Sequence, residues 1–478
     1  MFFDSIEKHK NNIALIIDSN NKISYKDILS FSSEFQKKIK TNSLSILISE
    51  NCVESLCGYI SLLRSNNPVM VLDPYITKND LKILVEKFRP QYIFCSKKNQ
   101  IKIQKNLFHL IHSFQNFNLF QIKESNFYKI NEKLMLLLST SGSLSEPKFV
   151  KLSLENMTSN TQSIISYLNL NSKDCSITTM PMSYSYGLSI INSHLISGAS
   201  IVLNNHSLVD KNFWKLYNYT KPSNLNGVPF FYEILKKIGA ERILENKPRF
   251  ITQAGGKIKN KIFKEIANEC LQNDISFYLM YGQTEASPRI SYHEVKKKDL
   301  ESKMIPIGKP ISGGKILLKD ESGSLINKAN VEGELIYKGK NVFGGYAKSC
   351  NELNSFDNIS ELKTGDLAVK DKNEIFFITG RKSRFIKVYG YRINLDYIEE
   401  KINTNQQSIA CVAVDEKIYI FCKNKNLNLK DFANIPKKTY KILTLKKFPI
   451  NNNGKISYGK LIELLKIKGL VNDTQRVI

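Results

Sequence analysis

Residues 138–150 read LSTSGSLSEPKFV. Thr140, Ser141, Gly142, Ser143 and Lys148 place three hydroxyls, a glycine and an ammonium in one short segment. An apolar run, residues 134–138, leads into it and predicts a buried strand. Small hydroxyl residues around a glycine leave backbone N–H groups open, and such groups can wrap an anion. The chemistry this suits is the cradling of a triphosphate. Taken alone, the segment reads equally well as a Ser-rich surface turn. It is not a P-loop of the G-x-x-x-x-G-K-[ST] type, because Lys148 has no glycine before it and no hydroxyl after it.

Four further clusters follow along the chain. Tyr281-Gly282-Gln283-Thr284-Glu285 stands after an apolar run at 275–280. A glycine, a hydroxyl and a carboxylate at a strand end suit a metal–phosphate site. Gln253-Ala254-Gly255-Gly256 ends another apolar run, where two glycines let a flat ring lie against backbone. Lys363-Thr364-Gly365-Asp366-Leu367 precedes Gly380-Arg381; a carboxylate offers two acceptor oxygens and no donor, and an arginine offers a planar, permanent charge. Near the end, Pro449 is followed by Asn453-Gly454-Lys455, where glycine permits the tight turn that presents Lys455. Each of these alone is an ordinary turn.

Together, in this order, they resemble the adenylate-forming superfamily of acyl-CoA synthetases, luciferases and peptide-synthetase adenylation domains. Its phosphate-binding pattern is T-S-G-S-T-G-x-P-K-G, of which this chain keeps Thr140, Ser141, Gly142, Ser143, Pro147 and Lys148 and departs at Leu144, Ser145 and Phe149. Tyr281 to Glu285 match Y-G-x-T-E throughout. The resemblance covers nearly the whole chain. It implies that Thr284 bonds the α-phosphate of ATP, that Glu285 holds Mg²⁺, and that Ala254, Gly255 and Gly256 line the adenine beside Tyr281 and Gly282. Asp366 would bind the ribose hydroxyls and Arg381 the ribose or phosphate. Residues 380–399 resemble the hinge and the start of the small domain, with Ser383 at the hinge position, where Asp or Lys is usual. Lys387 and Gly390 match positions that face the site in the second half-reaction. Lys455 would bridge the substrate carboxylate and the α-phosphate.

The reaction so implied is attack of a carboxylate on the α-phosphate, giving an acyl-adenylate and pyrophosphate. The acyl group then passes to the pantetheine thiol of CoA or of an acidic carrier protein, after the small domain rotates. The acyl pocket is expected to involve Tyr184, Ser185, Gly187, Asn226, Gly227 and Gln253. Amino-acid-activating members carry an aspartate at the start of the segment matching 182–187. No acid occurs in 181–191 here, which points to a plain, hydroxy or aryl acid. Two other readings are a stand-alone amino-acid adenylation protein and a degenerate nucleotide binder without turnover.

The elements that must position these residues alternate. Residues 45–49 and 69–72 read as short strands, with a helix at 51–63 between them, which implies an α/β layer. A helix is expected over 153–167, a strand over 176–180, a loop over 182–187 and a helix near 188–196. Further along, a strand is expected at 200–203 and a turn at 226–229. A chain of 478 residues is too long for one core. The expectation is a large N-terminal domain of α/β layers, 1–380, with a small mobile α+β C-terminal domain, 381–478.

Composition bounds the rest. At 42% hydrophobic and 10% aromatic the chain is globular. It has no apolar run of about 18 residues, so no membrane span is expected. Charges stand in MFFDSIEKHKNN, where a signal peptide needs an apolar core. Its eight cysteines form no C-x-x-C pair, which is simplest for reduced thiols in a cytoplasmic enzyme. The net charge of +25 is spread as lysines along a chain rich in Asn and Ile, a pattern that AT-rich coding produces. Nucleic-acid binders concentrate their charge, so nucleic acid is not expected as a partner. A basic surface also attracts nucleotides, CoA or an acidic carrier.

Overall fold

The computed structural model describes residues 2–124, 128–139, 148–239, 241–242, 246–388, 391–402, 409–414, 417–423, 439–450 and 456–471. Thr140, Ser141, Gly142, Ser143 and Lys455 lie outside the described residues, as does Gly390. The chain divides into two compact units. One comprises residues 1–316 and 337–362, the other 317–336 and 363–478.

The first unit holds two sheets. One has at its heart the parallel strands Cys175–Ile177, Asn224–Gly227, Phe250–Gln253 and Ser276–Gly282, side by side in that order. The central Asn224–Gly227 and Phe250–Gln253 are buried at every position, as strands covered on both faces must be. The antiparallel strand Arg289–Glu294 continues the sheet beyond Ser276–Gly282. Helices Lys211–Thr220, Pro229–Ile238 and Asn260–Gln272 contribute the aromatic and branched side chains of the core on this sheet, among them Phe213, Tyr232, Phe263 and Ile266. Pro229 sits at the first helical position, where its missing N–H costs nothing.

The other sheet runs Tyr346–Ala347, Phe149–Ser153, Leu134–Ser139, Val69–Leu72, Ser45–Ile48, Tyr92–Ser96, Phe117–Ile122 and Phe108–Phe114. The strand expected at 134–138 is Leu134–Ser139, and the helix expected at 51–63 is Val53–Arg64. Leu134–Ser139 and Phe149–Ser153 pair antiparallel with Ser139 opposite Phe149. Ser153 caps helix Leu154–Leu168 by accepting from the Asn156 N–H, and Asn156 returns the bond in a capping box.

In the second unit, strands Leu362–Lys370 and Phe376–Arg381 form an antiparallel pair, with Asp366 opposite Arg381. Beyond them come the hairpin Phe385–Val388 with Tyr391–Asn394, and a sheet of Ile409–Val414, Lys417–Cys422 and Tyr440–Thr444. Helices Leu395–Ile402 and Tyr458–Ile467 contribute to its two cores. All eight cysteines are free thiols, and six of them, Cys57, Cys95, Cys270, Cys350, Cys411 and Cys422, are buried.

Candidate active site

Three of the predicted clusters come together at the carboxyl ends of adjacent parallel strands. Gly227 pairs with Gln253, and Gln253 pairs with Leu279, two residues before Tyr281. This edge is where ligands bind in open α/β sheets. Tyr281 and Gly282 are still strand; Thr284–Ala286 forms one tight helical turn beyond it.

The helix expected near 188 begins at Ser185 instead and runs to Ile196, with Tyr184 as its N-cap. Gly187 is therefore in its first turn. A Cβ there would stand 2.5 Å from the Pro181 carbonyl oxygen, so the close approach of segment 181–187 requires glycine. The earlier start aims Ser185 at the neighbouring cluster, and its hydroxyl lies 3.2 Å from that of Thr284. Gly255, at φ +83°, is covered by the Tyr184 phenol, whose oxygen would be 2.4 Å from a Cβ at that position. Tyr184, Ser185, Gly255 and Thr284 thus share one corner.

Glu285 is held by a neighbour that the sequence did not mark. The Tyr346 hydroxyl donates to its Oε1 at 2.9 Å, and the Lys148 ammonium lies 3.6 Å from the centre of the same Tyr346 ring. Burial first, and the Glu285 charge second, push the Tyr346 phenol above its ordinary value, so it stays a donor. The sheet register explains this contact: Tyr346 pairs with Val150, two residues from Lys148. The segment before it reaches the other sheet. The Phe343 N–H donates to the Glu285 carbonyl at 3.0 Å. The Asn341 amide donates to the carbonyls of Ala286 and Arg289 at 2.6 and 2.8 Å, and Asn160 donates to the same two at 3.2 and 3.0 Å. Residues 341–346 therefore tie the turn at 284–289 to Lys148. Their only sequence signal is polar residues next to glycines, which is unremarkable in a chain so rich in Asn.

Asn226 is 1% exposed, and its side chain is engaged within the sheet. Its amide donates to Ser176 and Asn224 at 3.0 and 2.9 Å, and its carbonyl oxygen accepts from Thr252. Thr252 in turn lies 2.6 Å from the Tyr186 hydroxyl. The Gln253 amide donates to the Gly256 carbonyl at 2.9 Å and shapes the Ala254–Gly256 turn.

In the second unit Asp366 and Arg381 form an ion pair, Nε to Oδ1 at 2.9 Å, as their cross-strand register dictates. Asp366 is buried and Arg381 exposed. Thr364 sets the turn: its hydroxyl donates to the Leu335 carbonyl at 2.8 Å and accepts from the Asp366 N–H at 3.1 Å. Ser383 falls in the turn Lys382–Arg384, and Lys387 in strand Phe385–Val388. An open groove of about 560 Å³ lined by residues such as Leu208, Trp214 and Arg242 shares no residue with these clusters, so cavity volume alone does not mark the site.

A glycine-lined strand edge beside a carboxylate, a lysine and clustered hydroxyls is an arrangement suited to holding a nucleotide. The family of AMP-binding enzymes matches residues 2–347, and the chain belongs to that family, within the adenylate-forming superfamily. It is 26% identical over 358 residues to 2-succinylbenzoate–CoA ligase of Bacillus cytotoxicus, covering 70% of this chain and 71% of that one. It is 23% identical to gramicidin S synthase 2 of Brevibacillus brevis over 100% of this chain, and 22% identical to bacitracin synthase 2 of Bacillus licheniformis over 90% of it. The chain spans only 11% and 17% of those two proteins. Among solved structures, O-succinylbenzoate coenzyme A synthetase of Bacillus subtilis in complex with AMP superposes with a TM-score of 0.75 at 17% identity, over 96% of this chain and 98% of that one. The fold is the mixed α/β fold of the adenylate-forming enzymes. Among the described residues, no helix is long and apolar enough to cross a membrane.

Proposed function

We propose that this protein is an AMP-forming acid–thiol ligase. It joins a small carboxylic acid to the AMP moiety of ATP, releasing pyrophosphate, and then hands the acyl group to a pantetheine thiol, releasing AMP. The observation that carries this reading is the contact of Lys148, Tyr346 and Glu285 beside the hydroxyls of Ser185 and Thr284. Two anions must meet in the first step, so the barrier is largely repulsion and positioning. Lys148 supplies a fixed positive charge, and Thr284 donates toward the α-phosphate. Ala254, Gly255 and Gly256 give the adenine a flat backbone wall. Thr140 to Ser143 complete the phosphate cradle.

Glu285 offers one carboxylate, and no cluster of three or more acidic, His or Cys side chains stands elsewhere among the described residues. That donor set fits Mg²⁺, which keeps several waters and takes its other ligands from phosphates. When bound, the ion offsets triphosphate charge.

Asp366 holds the ribose and Arg381 moves between it and the nucleotide. We place the functional boundary between residues 380 and 381; it concerns motion and lies inside the second compact unit. Rotation about Ser383 withdraws Lys455 and brings Lys387 to the site for thiol attack. The acceptor is CoA or an acidic carrier protein, and the reaction is cytoplasmic. The relative named as a CoA ligase supports CoA as acceptor.

ATP–pyrophosphate exchange with Mg²⁺, across a panel of carboxylic and amino acids, tests the first step. Exchange with carboxylic acids supports it; silence with every acid overturns it. Lys455→Ala is expected to abolish exchange yet form thioester from pre-made adenylate. Equal loss of both steps would refute the rotation.

A further inference from the structure

Arg289 opens strand Arg289–Glu294 and stands opposite Gly282 in the antiparallel register. It is 2% exposed. Its guanidinium lies 5.1 Å from the centre of the Tyr186 ring, and its Nε has no hydrogen-bond partner. Among the described residues no carboxylate pairs with it; the Tyr167 phenol is a hydrogen-bond partner of its side chain, and Tyr184 and Tyr186 stand beside it. Burial raises all three phenols, Tyr167 to about 12, so none is an anion near neutrality. Met180, Ala254 and Met280 add apolar and thioether surface to the same cluster as Tyr186.

An isolated buried charge is costly, and proteins rarely carry one without a partner. The other deeply buried cations among the described residues obey this. Lys151 is held by the carbonyls of Glu352 and Ser355, and Arg384 by two carboxylates. Arg289 departs from the pattern at the place where Tyr184, Ser185 and Thr284 converge.

We infer that Arg289 is the receptor for a second anionic group on the acyl substrate, which is therefore a dicarboxylic acid. This rests on the ligase reading above. One carboxylate meets the α-phosphate near Thr284. The other enters the tyrosine-lined pocket, where a planar guanidinium can engage both its oxygens. The aromatic walls suit the carbon chain or ring that joins the two. A cation here also repels an α-ammonium group, which disfavours amino acids independently of the missing aspartate.

The test compares dicarboxylic acids of graded length, aliphatic and aromatic, with their monomethyl esters. ATP–pyrophosphate exchange and thermal stabilisation in the presence of a non-hydrolysable ATP analogue are measured on wild type, Arg289→Met and Arg289→Lys. A pocket that hydrogen-bonds a substrate group discriminates by about 10²-fold or more. Wild type is expected to prefer one diacid over its ester by that margin, Arg289→Met to lose the preference, and Arg289→Lys to keep part of it. Without ligand, Arg289→Met is expected to melt at or above the wild-type temperature, since it removes a buried charge that no carboxylate balances. A purely structural arginine would give the opposite shift and overturn the inference. Exchange with monoacids only, or an unchanged preference in Arg289→Met, also overturns it while leaving the ligase reading intact. Diacid stabilisation lost in Arg289→Met, with no exchange, supports the pocket and refutes the ligase. Neither exchange nor stabilisation by any diacid overturns both.

Discussion

The contact between Tyr346 and Glu285 separates two contributions that single substitutions can resolve. Tyr346→Phe keeps the ring under the Lys148 ammonium and deletes only the bond to the carboxylate; Tyr346→Leu deletes both. A hydrogen bond to a charged group contributes about 1.5–3 kcal/mol. We expect the KM for MgATP to rise by roughly ten-fold in the Phe variant and further in the Leu variant, read from exchange kinetics at fixed Mg²⁺. A second residue-scale effect belongs to His194. Its Nδ1–H donates to the Ile190 carbonyl at 2.8 Å, which leaves Nε2 to accept from the Asn224 amide at 3.0 Å. Burial lowers its pKa to about 4 from an ordinary value near 6.5. Between those values the unfolded chain binds the extra proton, so stability is full above about pH 6.5 and falls as pH drops toward 4, by on the order of 3 kcal/mol. Urea unfolding across that range should show a flatter profile in His194→Gln; parallel profiles would exonerate this ring. At this scale the family motifs were readable because they are contiguous. Arg289 was not, because a charge at the head of a strand looks exposed until the opposing tyrosines are in place.

Among elements, the segment at 341–346 does what no motif announced: it fixes the turn carrying Thr284 and Glu285. Asn160 and Asn341 donate to the same pair of carbonyls, so either can partly cover for the other. Each Ala substitution should cost about 1–2 kcal/mol in urea unfolding, and the double variant more than their sum. Additive losses would mean the two amides act separately. Elements such as Leu134–Ser139, Val53–Arg64 and Leu154–Leu168 were legible from their apolar runs to within two residues. The exception is Ser185–Ile196. Ser, Tyr and Gly are poor helix formers, and the sequence reads them as loop. Tertiary contact decides otherwise, because Gly187 must pass close to Pro181.

For the molecule as a whole, the two units are stabilised by different means. The first rests on broad apolar layers between helices and sheets. In the second, Arg384 gathers the small body around itself. It pairs with Asp396 at 2.8 Å and with Glu399, donates to the Cys411 carbonyl at 2.7 Å, and lies over the Tyr458 ring at 4.4 Å. Tyr458 donates to Glu399 as well. Breaking such a buried pair from one side leaves a stranded charge and costs about 3–5 kcal/mol, whereas replacing both partners by apolar residues costs far less. Glu399→Gln should therefore lower the melting of the second unit selectively, and Arg384→Met with Glu399→Leu should recover much of the loss, as followed by calorimetry and limited proteolysis. A uniform shift of all transitions would refute that division. The division into a large and a small body was legible from chain length and motif order; the ionic centre was not, since Arg384 sits among four other cations at 381–392 that nothing in the sequence distinguishes from it.

The buried cysteines turn the chain into its own recorder of opening. Burial pushes the thiols of Cys95 and Cys270 up to about 12, and those of Cys411 and Cys57 higher still, so in the closed state they are neither accessible nor nucleophilic. An alkylating reagent can reach each one only when its own neighbourhood separates. Cys57, Cys95, Cys270 and Cys350 report on the first unit, and Cys411 and Cys422, on adjacent strands, report on the second. The order in which peptides acquire label, read by mass spectrometry without any engineered probe, is then a map of which part of the enzyme breathes first.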